Sequence, residues 1–376
     1  MAVRSPVRAA MVCQVMAHYR EGVHRELDGR DGLDLTFASD TDGSHYSLAT
    51  MDAALLERHV RLHNVYLGRA TWQRGVMRLV LFGDFDAYVF TGDASVLSTW
   101  VGSLVARLRG RRVLFWTIGW HRPDHGVKSL FRVTFYKLAH RLLIYGNHGR
   151  ALGIEAGYPA DRMSVIYNSV TGTTVVPAAA GVPQAARDET RIRLGAIARL
   201  TERKRFDLLV EAAALLRERG HEVEVVLAGE GPATPEVRAL ADARNVPLEL
   251  LGAVYDPGEI SDFYESLDVT VIPTFAGLSI IQSLAHGVPV VTDDDADNQG
   301  PEWEAITPST GATYVRGDLP ALVDAVEIVA SAGRADPVAT SRRCLDEVAE
   351  RWTPSRHADR IAEALELEAS QKQGTR

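Results

Sequence analysis

The stretch from residue 267 to 292 constrains this chain more than any other. It reads Leu-Asp-Val-Thr-Val-Ile-Pro-Thr-Phe-Ala-Gly-Leu-Ser-Ile-Ile-Gln-Ser-Leu-Ala-His-Gly-Val-Pro-Val-Val-Thr. Residues 269–272 are a short β-branched run closed by Pro273, the pattern of a buried strand. Ala276 and Gly277 make a turn with room for close backbone approach. Residues 279–286 carry Ile280, Ile281 and Leu284 at helical spacing, and Gly287 supplies the stop. Residues 288–291 form the next strand. A strand, tight loop, helix and strand in this order point the amides of Gly277, Leu278 and Ser279 beyond the strand end. That is an anion site, and phosphate is the usual guest. Taken alone, the stretch reads equally well as an ordinary βαβ turn.

Most of the rest of the chain repeats the alternation. In the first half, strands are expected at 7–16, 33–38, 87–91, 112–117, 141–145 and 163–168. Helices are expected at 23–27, 95–109, 126–140 and from 146. Residues 55–67 have no clear period, and residues 78–82 read as a strand or a helix end. Residues 171–190, rich in Ala, Pro, Thr and Val, are the expected linker. Alternation restarts with strands at 191–198, 223–228 and 248–252 and helices at 206–219, 234–244 and 259–266. After residue 292 come a helix at 319–332 and a helical tail at 341–366, broken at Trp352-Thr-Pro354. Short loops between alternating elements mean parallel sheets wrapped on both faces. Ligands of such sheets bind at the strand carboxyl ends. The expected divisions are 1–170, the linker 171–190, a second domain 191–350 and a closing segment 351–376. At 376 residues, two domains are the prior.

Composition excludes several classes. The 2 cysteines, Cys13 and Cys344, have no histidine cluster nearby, which argues against a disulfide framework or a zinc site. The first residues run into a strand rather than a secretory leader, and no apolar run approaches the roughly 18 residues of a membrane span. A cytoplasmic location, peripheral to the inner face of a membrane, is expected. Charge is uneven. Of 41 basic and 49 acidic residues, 21 and 15 fall in 1–170, leaving 20 and 34 after it. Residues 101–150 hold ten basic residues against Asp124 alone. Such a face is either solvated or meets an anionic partner: a membrane surface or a phosphate-bearing acceptor. No nucleic-acid motif accompanies it, so nucleic acid is not expected as a partner. Asp84 and Asp86, and the run 293–295, invite a metal reading, but turn acids before a strand are common and no metal is expected.

Three ordered motifs in the second half carry a resemblance. They are Ala198-Arg-Leu-Thr-Glu-Arg-Lys204, Ala228-Gly-Glu-Gly-Pro232 and residues 273–291. Together they resemble the nucleotide-binding domain of family-4 retaining glycosyltransferases, which have the GT-B fold: two doubly wound Rossmann-like domains with a cleft between them. The first half matches more weakly, through Trp116-Thr-Ile-Gly-Trp-His121, residues 143–147 and residues 165–168. The resemblance implies a retaining, metal-independent transfer from a nucleoside-diphosphate sugar, with a UDP-sugar favoured. The acceptor is a hydroxyl, lipid-linked or on a small molecule, and there is no cofactor beyond the donor itself. Arg199 and Lys204 resemble the cations that hold the donor diphosphate and stabilise the leaving group. Gly277, Leu278 and Ser279 resemble the loop whose amides meet the phosphates. Thr274, Gln282 and Glu302 fall at donor-contacting positions, and Val254 lies where backbone groups read the base.

In the first domain, His121 resembles the histidine beside the donor sugar, with catalytic and acceptor-side roles. His18, Tyr19 and Arg20 follow the first strand as acceptor contacts. Departures from the pattern are explicit: Thr274 and Gln282 replace two glutamates, Ala198 replaces a glycine, and Arg205 replaces another. Thr274 and Gln282 motivate a second reading, a catalytically silent homologue that binds a nucleotide sugar or a partner; a nucleotide-sugar epimerase is a third. The tail after Trp352-Thr-Pro354 resembles a helix that crosses back to the first domain, and domain closure about the linker is expected.

Overall fold

A computed structural model describes residues 5–46, 48–170 and 191–374. The expected linker at 171–190 lies outside these residues. The chain forms two compact units. The first runs to residue 171 and resumes at Pro354; the second ends at Thr353.

In the first unit the elements are β1 (Val7–Val15), α1 (Glu21–Asp28), β2 (Leu33–Asp40), β3 (His59–Arg61), β4 (His63–Leu67), β5 (Ala70–Arg74), α2 (Val76–Phe82), β6 (Ala87–Thr91), α3 (Leu97–Leu108), β7 (Arg112–Thr117), α4 (Gly126–Tyr136), β8 (Arg141–Ile144), α5 (Asn147–Glu155) and β9 (Met163–Val165). The second unit contains β10 (Arg191–Ile197), α6 (Phe206–Glu218), β11 (Glu222–Ala228), α7 (Thr234–Arg244), β12 (Leu248–Gly252), α8 (Pro257–Glu265), β13 (Val269–Val271), α9 (Ser279–Ala285), β14 (Val290–Asp293), β15 (Gly311–Tyr314), α10 (Leu319–Ala335) and α11 (Pro337–Arg351). The last helix, α12 (Pro354–Gly374), belongs to the first unit.

The first sheet is parallel, in the order β3-β2-β1-β6-β7-β8-β9. One face packs Val80, Phe90, Phe115 and Phe135 beneath α2, α3 and α4. The opposite face packs Phe37, Leu114 and Leu143 beneath α1 and α12, where Ile361 and Leu365 complete the core. A buried ion pair, Arg141 to Glu368 at 3.0 Å, fastens α12 to β8.

The second sheet is parallel, in the order β12-β11-β10-β13-β14-β15. Numbered from its own first strand, that is 3-2-1-4-5-6, the doubly wound dinucleotide-binding order. Its order reverses between β10 and β13, and the first sheet reverses between β1 and β6. Ligands of such sheets bind where the order reverses, beyond the strand carboxyl ends.

Three parts of the expectation change. The unassigned stretch 55–67 contains β3 and β4, and β4 folds back antiparallel on β5 with Leu67 opposite Ala70. The two-residue turn is Gly68-Arg69, with Gly68 at φ 63; the second position lacks the glycine that marks such hairpins in a sequence. Residues 78–82 lie in a helix, α2, begun by Gly75 in the left-handed region. The strand β15 was not expected, since its four residues contain only one β-branched side chain buried or not, Thr313, beside Gly311 and Ala312.

Candidate functional site

The site of the second unit is assembled from two chain segments that leave neighbouring strands at the reversal point. Residues 198–205 leave β10, and residues 272–278 leave β13. The first segment is positioned by glycines. A methyl group on Gly229 would lie 2.0 Å from the Ala198 carbonyl oxygen, and one on Gly231 would lie 1.9 Å from that of Leu200. Only glycine lets the end of β11 lie this close, so the Gly-Glu-Gly motif supports residues 198–200. Leu200 N–H donates to Glu230 O at 3.0 Å, and Ala233 N–H donates to Leu200 O at 3.1 Å.

The two segments are then fastened together. Ser279 Oγ donates to Ile197 O at 3.0 Å, which pins the start of α9 to the end of β10. Lys204 Nζ donates to Phe275 O at 2.8 Å. The Thr274 hydroxyl donates to the Arg203 carbonyl, and the Arg203 guanidinium lies 3.3 Å from the Phe275 ring centroid. Phe275 holds φ 55, a conformation a bulky side chain adopts only when its surroundings impose it. Gln299 imposes part of it. Its Oε1 accepts from Ala276 N–H at 2.9 Å, while its Nε2 donates to Thr292 Oγ1 at 2.8 Å and Asp293 Oδ1 at 2.9 Å. Tyr314 OH donates to Pro273 O at 2.9 Å on the other side.

The resulting surface is cationic. Burial, and secondarily the Arg203 charge, push the Lys204 ammonium down to about 8. Arg199 is exposed, with no partner among the described residues. The amides of Gly277, Leu278 and Ser279 likewise have no partner among them. Gly277 takes φ 63. Glu302 is buried behind this loop: a methyl group on Gly300 would lie 2.4 Å from Glu302 Oε2 and 3.1 Å from Gly277 Cα. Two cations and a row of amides on fixed backbone can hold a diphosphate.

Other positions at this site are occupied inside the protein. Thr274 is buried, and its hydroxyl is committed to Arg203. Gln282 is half-buried and accepts from the buried Tyr264 hydroxyl at 3.5 Å. Val254 packs against the Phe263, Tyr264 and Leu267 cluster. Arg205 sits at φ 53, which explains why a glycine suits this position, and it holds Asp207 through two nitrogens. Arg203 and Phe275 hold the two segments together, Gln299 fastens Ala276, and spacing did not reveal them. Their roles depend on one left-handed residue and on hydrogen bonds between strands distant in sequence.

In the first unit, His18, Tyr19 and Arg20 form a short 3-10 turn after β1. Together with Cys13, His24 and Trp116, Tyr19 and Arg20 line a cavity of about 140 Å³ at the reversal point of that sheet. The Arg20 guanidinium lies 5.4, 5.3 and 5.5 Å from the rings of Tyr19, Trp116 and Tyr145. The buried His24 Nδ1 and Trp116 Nε1 have no hydrogen-bond partner among the described residues. Desolvation, then the Arg20 charge, push His24 down to about 3. His121 is half-buried in the loop after β7, and His18 is exposed. Asp84 and Asp86 are paired with Arg8 and Arg111. A cavity of about 390 Å³ in the second unit is lined by Pro289, Gly311 and Arg343. It lies at the opposite, amino-terminal ends of β14 and β15, away from Arg199, Lys204 and the Gly277 loop.

The profile of the family Glycosyl transferases group 1 matches residues 191–331. This is the segment that carries Arg199, Lys204 and the Gly277 loop. Residues 191–331 are similar to a group 1 glycosyl transferase domain, and the fold is GT-B. A Bacillus subtilis protein named as a glycosyltransferase, EpsF, is 28% identical over 207 residues, 51% of this chain and 54% of its own length. The GDP-mannose-dependent alpha-(1-6)-phosphatidylinositol dimannoside mannosyltransferase of Mycobacterium tuberculosis is 31% identical over 173 residues, 45% of this chain and 42% of its own. This chain thus spans about half the length of the curated relatives it matches. The lipopolysaccharide outer core galactosyltransferase WaaB, in its apo form, superposes with TM-score 0.70 at 16% identity, covering 96% of this chain and 100% of that one. Anabaena Alr3699/HepE in complex with UDP superposes with TM-score 0.69 at 15% identity, covering 96% and 100%. The likeness to these two solved structures is one of fold.

Proposed function

We propose that this protein transfers a sugar, with retention and without a metal, from a nucleoside-diphosphate sugar to a hydroxyl acceptor. One observation carries the reading. Lys204, Arg199 and the 277–279 amides converge at the strand reversal of a group 1 domain, held by the Lys204 to Phe275 bond of 2.8 Å. The donor diphosphate lies on this surface, and Glu302 stiffens the loop beneath it. In the transfer, the bond from the sugar C1 to the diphosphate oxygen breaks as the acceptor oxygen bonds to C1 on the same face. The acceptor proton passes to the departing diphosphate oxygen, whose developing charge Arg199 and Lys204 stabilise. His121 stands on the acceptor side, and the Tyr19–Arg20 cavity takes a polar part of the acceptor. The acceptor is lipid-linked or a small molecule.

UDP is the favoured nucleotide, because the structural neighbour HepE is described in complex with UDP and with UDP-glucose. The mycobacterial relative is named as GDP-mannose-dependent, so GDP-sugars are the comparison set. A thermal-shift panel of UDP-, GDP- and TDP-sugars, followed by assay of nucleoside diphosphate release, tests the reading. A rise in Tm with one donor class and release of its diphosphate support it; no shift with any donor overturns it. The silent-homologue reading rests on Thr274, whose hydroxyl is committed to Arg203 where the family pattern has a glutamate. A Tm shift with no release by any donor favours that reading.

A further inference from the structure

We propose that the outer face of α2, α3 and α4 docks on an anionic lipid bilayer. The helix α3 is inverted relative to an ordinary surface helix. Its buried side is small and partly polar: Ser98, Thr99, Gly102, Ser103 and Ala106. Its exposed side is Leu97, Val101, Leu104 and Leu108, one stripe at helical spacing. The neighbouring helices extend that stripe. In α4, Val127, Leu130 and Phe131 are exposed, Val127 at 85%; α2 ends in Phe82 at 80% exposure. Trp100 of α3 lies 5.3 Å from Phe131 of α4, ring to ring, so the two helices are side by side. Arg109 donates to the Val80 and Gly83 carbonyls, which joins the ends of α3 and α2. Single exposed apolar side chains are ordinary, but a run across three adjacent helices marks an interaction surface.

The charge around this face selects the occupant. Arg74, Arg78 and Lys137 are exposed and have no carboxylate partner among the described residues. Lys128 reaches Asp124 at 3.4 Å, yet its own side chain is 76% exposed. A bilayer with anionic headgroups meets both features: the apolar side chains enter the acyl boundary and the cations meet lipid phosphates. A second copy related by a twofold axis would instead set these cations against their own equivalents. The surface is independent of the transfer reading; Leu104, Leu108, Lys128 and Lys137 fall in the basic stretch 101–150, and Arg74, Arg78 and Phe82 lie before it.

The test is co-sedimentation of the full chain with vesicles of phosphatidylcholine alone and of phosphatidylcholine with phosphatidylglycerol. Binding is expected to the anionic vesicles and to weaken with salt. The double variant Leu104→Glu with Phe131→Glu alters exposed positions only. Its circular dichroism stays as in the parent, Tm falls modestly with the lost Phe131–Trp100 contact, and vesicle affinity falls about tenfold or more. Arg78→Gln with Lys137→Gln weakens binding to the anionic vesicles alone, by about fivefold per charge, the equivalent of ~1 kcal/mol each. Absence of binding to either vesicle overturns the proposal, as does binding that the apolar variant leaves unchanged. A dimer in light scattering that Leu104→Glu with Phe131→Glu dissociates, with no vesicle binding, assigns the face to a second copy. UDP binding measured on the same preparations separates this outcome from failure of the donor site.

Discussion

Replacing Lys204 by alanine should weaken donor binding and remove its pH dependence together. In the folded chain the Lys204 ammonium is largely buried and titrates at about 8, depressed by desolvation and then by Arg203. A bound diphosphate adds two negative charges within its reach, which favours the protonated form and raises the value again. Donor binding therefore takes up a proton near pH 8. With half of the free sites deprotonated there, uptake is about half a proton per donor. Above pH 8, Kd climbs by about tenfold per pH unit until the raised value in the complex is reached. Lys204→Ala removes one charged hydrogen-bond donor, costing about 1.5–3 kcal/mol of donor affinity, or roughly ten- to 150-fold in Kd. The variant also leaves the Phe275 carbonyl without its 2.8 Å donor, so Tm falls as well. Calorimetry of UDP binding at pH 8, in two buffers of different protonation heat, reads the proton directly. Equal apparent enthalpies in both buffers for the parent, with unchanged Kd in Lys204→Ala, would refute the reasoning.

Four further outcomes follow from the same geometry. Arg199→Ala should cost about 1.5–3 kcal/mol of UDP affinity while leaving Tm unchanged, because the side chain is exposed and unpartnered among the described residues; calorimetry and thermal melts read both. Gly231→Ala places a methyl 1.9 Å from the Leu200 carbonyl, so it should lower stability by about 1–3 kcal/mol and weaken donor binding by moving residues 198–200. Arg205→Gly relieves a left-handed arginine at φ 53 and should raise denaturant stability by about 1 kcal/mol. His24 and His357 are buried and held neutral, His24 near 3 and His357 well below its ordinary value. Because both titrate lower in the folded state than in the unfolded chain, the stability they contribute is present above pH ~6.5 and is lost as pH falls below it, by about 1–2 kcal/mol for His24 at pH 5.5. Urea melts from pH 7 to 5 of the parent and of His24→Phe check this: the variant should lose less stability over that range.

The second unit was the more legible half. Its strands β11, β13 and β14 are short β-branched runs, and the motifs at 198–204, 228–232 and 273–291 mark the ends of β10, β11 and β13. Arg199 and Lys204 are legible through the family resemblance of residues 198–204, and the Gly277 loop through its strand, turn and helix pattern. The closure of the site could not be found that way. It depends on Phe275 at φ 55 and on Gln299, whose three hydrogen bonds span from Ala276 to Asp293. The replacement of glycine by Arg205 was visible, but its cost was not, since φ is a property of the folded chain. In the first unit, residues 55–82 hide a hairpin and a helix behind short apolar runs that suit either element. The apolar stripe of α3 was present in the sequence, yet periodicity alone does not say which side of a helix faces the core. There the small side, Ser98 to Ala106, is the buried one.

The central claim is that the cationic surface at the β10–β13 reversal holds the diphosphate of a sugar donor and releases it on transfer. Chromatographic measurement of nucleoside diphosphate released from a panel of UDP-, GDP- and TDP-sugars tests it most directly. Release from one donor class is expected, lost in Lys204→Ala and reduced in Arg199→Ala. Release that survives intact in both variants would contradict it.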